Sequence, residues 1–275
     1  MKLLSEEIER RIDDSIVEPL RRREYDLAMD AIPQVVDAIH ANIPDNKRVS
    51  YGIVYAIRVL SEHLYGRLVQ VGVPIFPAAS RMLRSTADGK CRGVSLGLLS
   101  FHGADNLESV LPHFESAAAS PDWGTREYAQ VFFRKVIRRH PDEAREYLVR
   151  LAKSEDANVR RFVGETLRPV QENRWFYQDP DYPLSIIRGM FKESSAYART
   201  SVGNNLSDLA RQCPEAVYDV VRELVDNGDK NSYWIAYRAC RNLIKKDPLR
   251  VMDLLKVGAY EYEGRIHKRS DHHRD

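Results

Sequence analysis

The chain has 275 residues and a mass of 31.7 kDa, with 43% hydrophobic and 30% charged side chains, so a disordered chain is excluded and a sizeable core is affordable. Lys and Arg number 42 against 40 Asp and Glu; taken as a total, the net charge of +2 speaks against a strong polyanion binder, but it does not locate the charges.

Residues 1–45 carry 11 acidic and 6 basic side chains, which leaves a net charge of +7 for the remainder. The opening MKLLSEEIERR reaches acidic residues at once and has no apolar core, so no secretory signal is expected there. The first 85 residues are helical in pattern but match the later repeats poorly, and they are expected to form an atypical N-terminal helical cap. Regular repeats are expected over 86–265. KCRGV at 90–94, TREYA at 125–129, VRRFV at 159–163 and ARTSV at 198–202 recur at steps of about 34, 34 and 39 residues. A further unit, about 37 residues on, carries WIAYR at 234–238, with Ala236 in place of the shared Arg. Each unit reads as a first helix, a short loop and a second helix with Arg near its start.

Within TREYAQVFFRKVIRR, Tyr128, Phe132 and Val136 fall four apart with Ala129, Phe133 and Ile137 beside them, an apolar stripe of helical period. HPDEA at 140–144 and CPEAV at 213–217 read as helix starts, because Pro in a first turn lacks only an N–H that had no partner. Strand signals are nearly absent. The polar segment 266–275 is expected to be a flexible tail. The predicted fold is therefore all-α: one α-solenoid domain over 1–265, in which stacked helical pairs bury what a single pair cannot and curve into a superhelix with a basic concave face.

The second helices carry polar stripes. Ser201, Asn204, Asn205 and Asp208 lie at i, i+3, i+4 and i+7, away from Val202, Leu206 and Leu209. Arg161, Glu165 and Arg168 line another helix whose Phe162, Val163 and Thr166 turn inward. Trp234, Arg238, Arg241 and Lys245 form a third stripe, and Arg126, Gln130, Arg134 and Arg138 a fourth. One such stripe alone reads as a solvated face; four side by side read as a polyanion-binding groove with two carboxylates, Glu165 and Asp208, on neighbouring helices. Arg outnumbers Lys on these stripes, which suits forked contacts to phosphate.

Cys91, Cys213 and Cys240 are far apart and form no CxxC, so a disulfide framework and a structural zinc are both disfavoured, and a cytoplasmic location fits. No run of about 18 apolar residues suggests a membrane span. There is no GxGxxG, GxxxxGK[ST] or HExxH, so no nucleotide, metal or other cofactor is expected.

Three motifs, VRRFVGETLRP at 159–169, YARTSVGNNLSD at 197–208 and WIAYRACRNLIKKD at 234–247, resemble in order and spacing those of the AlkC/AlkD-type DNA alkylation-repair glycosylases, which are built of HEAT-like repeats. The likeness is closer to the AlkC branch and covers less than half of the chain. It implies a DNA N-glycosylase that removes alkylated purines, such as 3-methyladenine and 7-methylguanine, from duplex DNA as a monomer. Matched motif by motif, it implies Glu165 and Asp208 as active-site carboxylates and Trp175 as the active-site aromatic, although the stretch from Pro169 to Trp175 is longer than the family pattern. With DNA as the polyanion, the groove is expected to contact it through Arg126, Arg161, Arg168, Arg199, Asn205, Trp234, Arg238, Arg241 and Lys245. Gly203 replaces an Ala of the family pattern, which is expected to be harmless, and Asp247 replaces a Gly.

Each of these residues also has an ordinary role open to it. Glu165 can pair with Arg161 or Arg168 along its own helix, Asp208 with Arg211 across one turn, and Trp175 and Trp234 can be packing residues. The alternative function is accordingly a non-catalytic HEAT-repeat module that binds DNA or a protein partner on the same surface.

Overall fold

The computed structural model describes residues 3–48 and 52–269. The chain packs as two compact units that divide between His140 and Pro141.

In the first unit, α1 (Glu6–Ile12) runs through a π-helical turn at Asp13–Val17 into α2 (Glu18–Arg21). There follow α3 (Tyr25–Ala41), α4 (Ile53–Gln70), α5 (Ile75–Ser85), α6 (Gly89–His102), α7 (Leu107–Ala118) and α8 (Trp123–Arg139). The predicted stripe of α8 is its core face: Tyr128, Ala129, Phe132, Phe133, Val136 and Ile137 are all buried. α6 lies between α4 and α8. Gly93 and Gly97 permit this close approach, since a Cβ on Gly97 would meet Ser61 of α4 and Phe132 of α8.

The second unit holds α9 (Pro141–Leu151), α10 (Ala157–Thr166), α11 (Asp181–Ile187), α12 (Ala196–Leu209), α13 (Pro214–Asp226), α14 (Lys230–Ala239) and α15 (Pro248–Leu255). As predicted, Pro141 and Pro214 open helices, and so does Pro248. α12 packs against α10 on one side and α14 on the other. Among the described residues the fold is all-α apart from one small hairpin, and no helix is long and apolar enough to cross a membrane.

The repeat has a local physical basis. Asp88, Asp122 and Asp156 cap α6, α8 and α10 by accepting from the backbone N–H of Cys91, Thr125 and Asn158. Four residues after each cap stands an Arg that reaches back over its own helix start: Arg92 to Thr86 O at 3.3 Å, Arg126 to Ser120 O at 2.7 Å, and Arg160 to Ser154 O at 2.7 Å. Arg199 does the same to Ser194 O. This register aligns Arg92 directly with Arg126, one position away from the alignment read in the sequence. The fifth unit is corrected too. Asp229 caps α14, so Tyr233 rather than Ala236 holds the shared position, where its hydroxyl donates to Leu255 O at 2.9 Å.

The expected tail starts too early. Ile266, His267 and Lys268 belong to strand β2 (Arg265–Lys268), paired antiparallel with β1 (Ala259–Tyr262). The turn between them uses Glu263 and Gly264, both at positive φ (51° and 73°), as a two-residue hairpin requires. Tyr260 anchors the hairpin: it is fully buried, stacks on Tyr237 of α14 at 4.4 Å and donates from its hydroxyl to Tyr237 O. The rest of the expected tail, from Ser270 on, lies outside the described residues.

Candidate functional site

The site is built where α10 ends beside α12. α10 stops at Thr166 because Pro169 cannot continue it, which leaves Arg168 just beyond the last turn. The two helices come close because Gly164 has no side chain; a Cβ there would stand 2.9 Å from the Cβ of Ser201. Across this seam Asn205 Nδ2 donates to Gly164 O at 3.0 Å, and Ser201 Oγ donates to Glu165 Oε1 at 2.8 Å.

Glu165 and Asp208 are both nearly buried, at 5% and 3% exposure, and one guanidinium joins them. Arg168 donates from Nε and Nη2 to Asp208 Oδ2 at 2.8 and 2.6 Å, and from Nη1 to Glu165 Oε2 at 3.1 Å. Arg211 meets the other oxygen of Asp208, Oδ1, at 3.2 Å, and Arg161 stands 3.9 Å from Glu165 Oε1. Burial works against the Arg168 charge, but the two carboxylates more than offset it and raise its pKa above the ordinary guanidinium value. Burial, and then the charge of Asp208, raises the pKa of nearby Tyr177.

Asp208 and Arg168 border a cleft of about 620 Å³. Its other charged walls are Arg211, Arg238, Arg241, Lys245 and Arg265 against Glu263, so cations predominate. Arg238 and Arg241 are neighbours there, and the pKa of Arg238 is lowered by burial and then by Arg241. The predicted Trp234–Lys245 stripe does not ride on one helix. α14 ends at Ala239, and Arg241 and Lys245 follow on a run of turns, yet both reach the cleft beside Arg238.

Three arginines lie on aromatic rings borne by a later element of the chain: Arg161 over Tyr197 of α12 at 4.6 Å, Arg199 over Trp234 of α14 at 4.9 Å, and Arg241 over Tyr262 of the hairpin at 5.2 Å. Arg238 approaches the Trp234 ring as well, at 5.5 Å. Trp234 is thus a half-buried platform for two guanidiniums. Arg199 also donates to Asn231 Oδ1.

Other expected residues fall elsewhere. Asn205 is fully buried in the α10–α12 seam, because the side of α12 that carries it faces a neighbouring helix rather than solvent. Trp175 sits on the 3₁₀ helix Gln171–Tyr177 and packs against Phe176 and Tyr182, with ring centroids 4.5 and 4.9 Å away, instead of among the residues that line the cleft. The long stretch after Pro169 forms an aromatic cluster of its own, and the indole Nε1 is buried in it with no hydrogen-bond partner among the described residues. Arg126 belongs to the first unit, where it braces the loop before α8 by donating to Ser120 O and Pro121 O; Gln130 and Arg134 of its stripe are buried.

Asn204 of the predicted α12 stripe lines the cleft, but sequence reasoning missed Asn242 and the hairpin wall formed by Tyr260, Tyr262, Glu263, Arg265 and His267. The signal was present: AYEYEGRIHK alternates on both sides of a Glu-Gly pair, a weaker turn dipeptide than Asn-Gly. Among the described residues no group of three His, Cys, Asp or Glu side chains is placed to hold a metal ion.

No protein-family model and no curated protein matches the sequence. Solved structures do match the fold. The chain is similar to the Pseudomonas fluorescens alkylpurine DNA glycosylase AlkC bound to DNA containing an abasic site analog, with a TM-score of 0.58, 19% identity, and 90% of this chain covering 69% of that one. It is also similar to AlkD2 from Streptococcus mutans, with a TM-score of 0.56, 18% identity, and 76% of this chain covering 98% of that one. The likeness read from the three motifs thus extends to the fold, which is that of the AlkC and AlkD-type helical proteins.

Proposed function

We propose that the protein binds duplex DNA in this cationic cleft and acts as a DNA N-glycosylase on purines made cationic by alkylation at ring position 3 or 7. The observation that carries the reading is a carboxylate, Asp208, held by Arg168 in the wall of a cleft where arginine and lysine otherwise prevail. The DNA bound in the structurally similar AlkC supports the choice of partner.

The chemistry suits this inventory. An alkylated purine already carries a positive charge, so the C1′–N bond can break with its electron pair passing to the ring nitrogen, and no acid is required. The sugar then develops oxocarbenium character, which a nearby carboxylate stabilises electrostatically. A water molecule adds to C1′ and gives up a proton to Asp208 or to solvent, leaving the free purine and an abasic sugar. Glu165 lies behind Asp208 and acts through Arg168, whose position it fixes together with Ser201. Arg238, Arg241 and Lys245 would hold phosphates, with Arg161 and Arg199 beside them on their aromatic rings. Acting as a monomer in the cytoplasm, such an enzyme needs no metal or nucleotide cofactor for this bond cleavage.

A second reading, a non-catalytic HEAT-repeat module that binds DNA or a protein, is favoured by one observation: both oxygens of Asp208 are occupied by guanidiniums. Incubation with methylated duplex DNA separates the two. Release of free 3-methyladenine or 7-methylguanine by the wild type, lost by a hundredfold or more in Asp208→Asn at unchanged DNA affinity, supports the enzyme. DNA binding without base release from the wild type selects the module.

A further inference from the structure

The two arginines on Asp208 are not equivalent. Arg168 is two-thirds covered, donates twice to Oδ2, and is tied to Glu165 as well. Arg211 stands one turn after Asp208, is 62% exposed, and meets Oδ1 through a single contact at 3.2 Å. Among the described residues Oδ1 has no other partner. Both side chains border the cleft, so a phosphodiester entering it competes with Asp208 for them. The competition is uneven. Moving Arg168 would leave two buried carboxylates without their shared cation, whereas moving Arg211 breaks one solvent-exposed contact.

We infer that Arg211 is a phosphate-binding residue of the cleft whose transfer to a DNA phosphate uncovers Oδ1 of Asp208, while Arg168 keeps Oδ2 anchored as a positioning residue. The inference rests on the proposed glycosylase reading for its consequence, and on the cleft alone for its binding part. Without DNA the carboxylate is covered on both sides. With DNA seated, the anchored oxygen fixes the orientation of the carboxyl group and the freed oxygen faces the substrate. The coupling needs no movement of a helix, because Arg211 follows the end of α12 and only its side chain turns.

The test uses the full chain and two variants, Arg211→Gln and Arg168→Gln, with a methylated duplex as probe. Equilibrium binding is measured over a salt series, and excision as a single turnover at saturating DNA. For Arg211→Gln the slope of log affinity against log salt should become shallower by about 1, the loss of one phosphate contact. Its excision rate at saturation should remain within about twofold of wild type or rise, because the cover is absent. Arg168→Gln should keep most of the binding and lose the excision rate by a hundredfold or more. An unchanged salt slope in Arg211→Gln overturns the phosphate role. An excision loss in Arg211→Gln as deep as in Arg168→Gln overturns the cover, since Arg211 would then be holding the carboxylate in place. If the wild type itself releases no base, the glycosylase reading fails, and the salt slope still decides whether Arg211 binds phosphate.

Discussion

Arg168 grips Asp208 with two donors of one guanidinium, Nε at 2.8 Å and Nη2 at 2.6 Å, across 40 residues of sequence. The same group turns its third donor to Glu165, so a single cation just beyond the end of α10 bridges carboxylates on two helices. Arginine suits this place because its planar fork meets two acceptors at once and its charge persists when it is largely covered.

Arg168→Met should destabilise the fold by about 3–5 kcal/mol, because it removes the shared partner and leaves Glu165 and Asp208 as buried charges. The double variant Arg168→Met with Asp208→Asn should recover part of that loss. Urea unfolding of the wild type and both variants measures this; an equal loss in the single and double variants would contradict it.

Charge reversal of Arg238 and Arg241 to Glu should weaken DNA association and flatten its salt dependence by at least about 2 in slope. Both residues line the cleft, and their local partners are neutral: Asn204 Oδ1 for Arg238 and the Tyr262 hydroxyl for Arg241. Stability should therefore change little. A salt titration of binding together with a thermal melt checks both parts, and unchanged affinity would rule out DNA binding in the cleft.

Gly203→Ala introduces the Ala of the AlkC-type pattern that the motif resembles, yet it should be destabilising rather than harmless. The added Cβ would stand 2.9 Å from both Cβ and Cδ of Arg238 on the neighbouring helix. Such overpacking costs about 1–3 kcal/mol, against at most about 1 kcal/mol gained in helix propensity. Because the clash falls on Arg238, DNA affinity should drop as well. A variant as stable as wild type with unchanged affinity would show that Arg238 repacks freely.

Glu193 should make the second unit sensitive to acid. Its carboxylate takes two hydrogen bonds from Arg160, at 2.6 and 2.9 Å, and one from the Ser195 backbone N–H at 2.7 Å. Burial pushes its pKa up, but these donors prevail and hold it below the ordinary carboxylate value. A carboxyl whose folded pKa is depressed stabilises the fold fully above its unfolded pKa, about 4.3, and loses that contribution as pH falls through the folded value. Glu193→Gln should therefore be less stable than wild type at pH 7, with the gap narrowing below about pH 4. Melts at several pH values test this, and a gap independent of pH would contradict it.

The helices and their repeat were legible because their signals are local. Pro141 and Pro214 mark helix starts, and the period-3.6 stripe of Tyr128, Phe132 and Val136 becomes the core face of α8. The pairs Glu165–Arg168 and Asp208–Arg211, each three residues apart, also follow from helical spacing and are present. Spacing does not tell which way a long side chain turns. Arg126, read as facing DNA, reaches back to loop carbonyls before its own helix, and Asn205 faces α10 instead of the cleft.

What only the tertiary structure decided is the contact between elements. The Arg168–Asp208 bond exists because Gly164 lets α12 approach α10 at Ser201, and the cleft has a second wall because Tyr260 docks a short hairpin on α14. The sequence by itself determined which residues share a face wherever the helix runs on, as in α8, since one helical period suffices for that; it did not show that α14 ends at Ala239, before Arg241 and Lys245. Which face meets which neighbour, and how closely, depends on packing between segments tens of residues apart; that packing turned two separate carboxylates into one site.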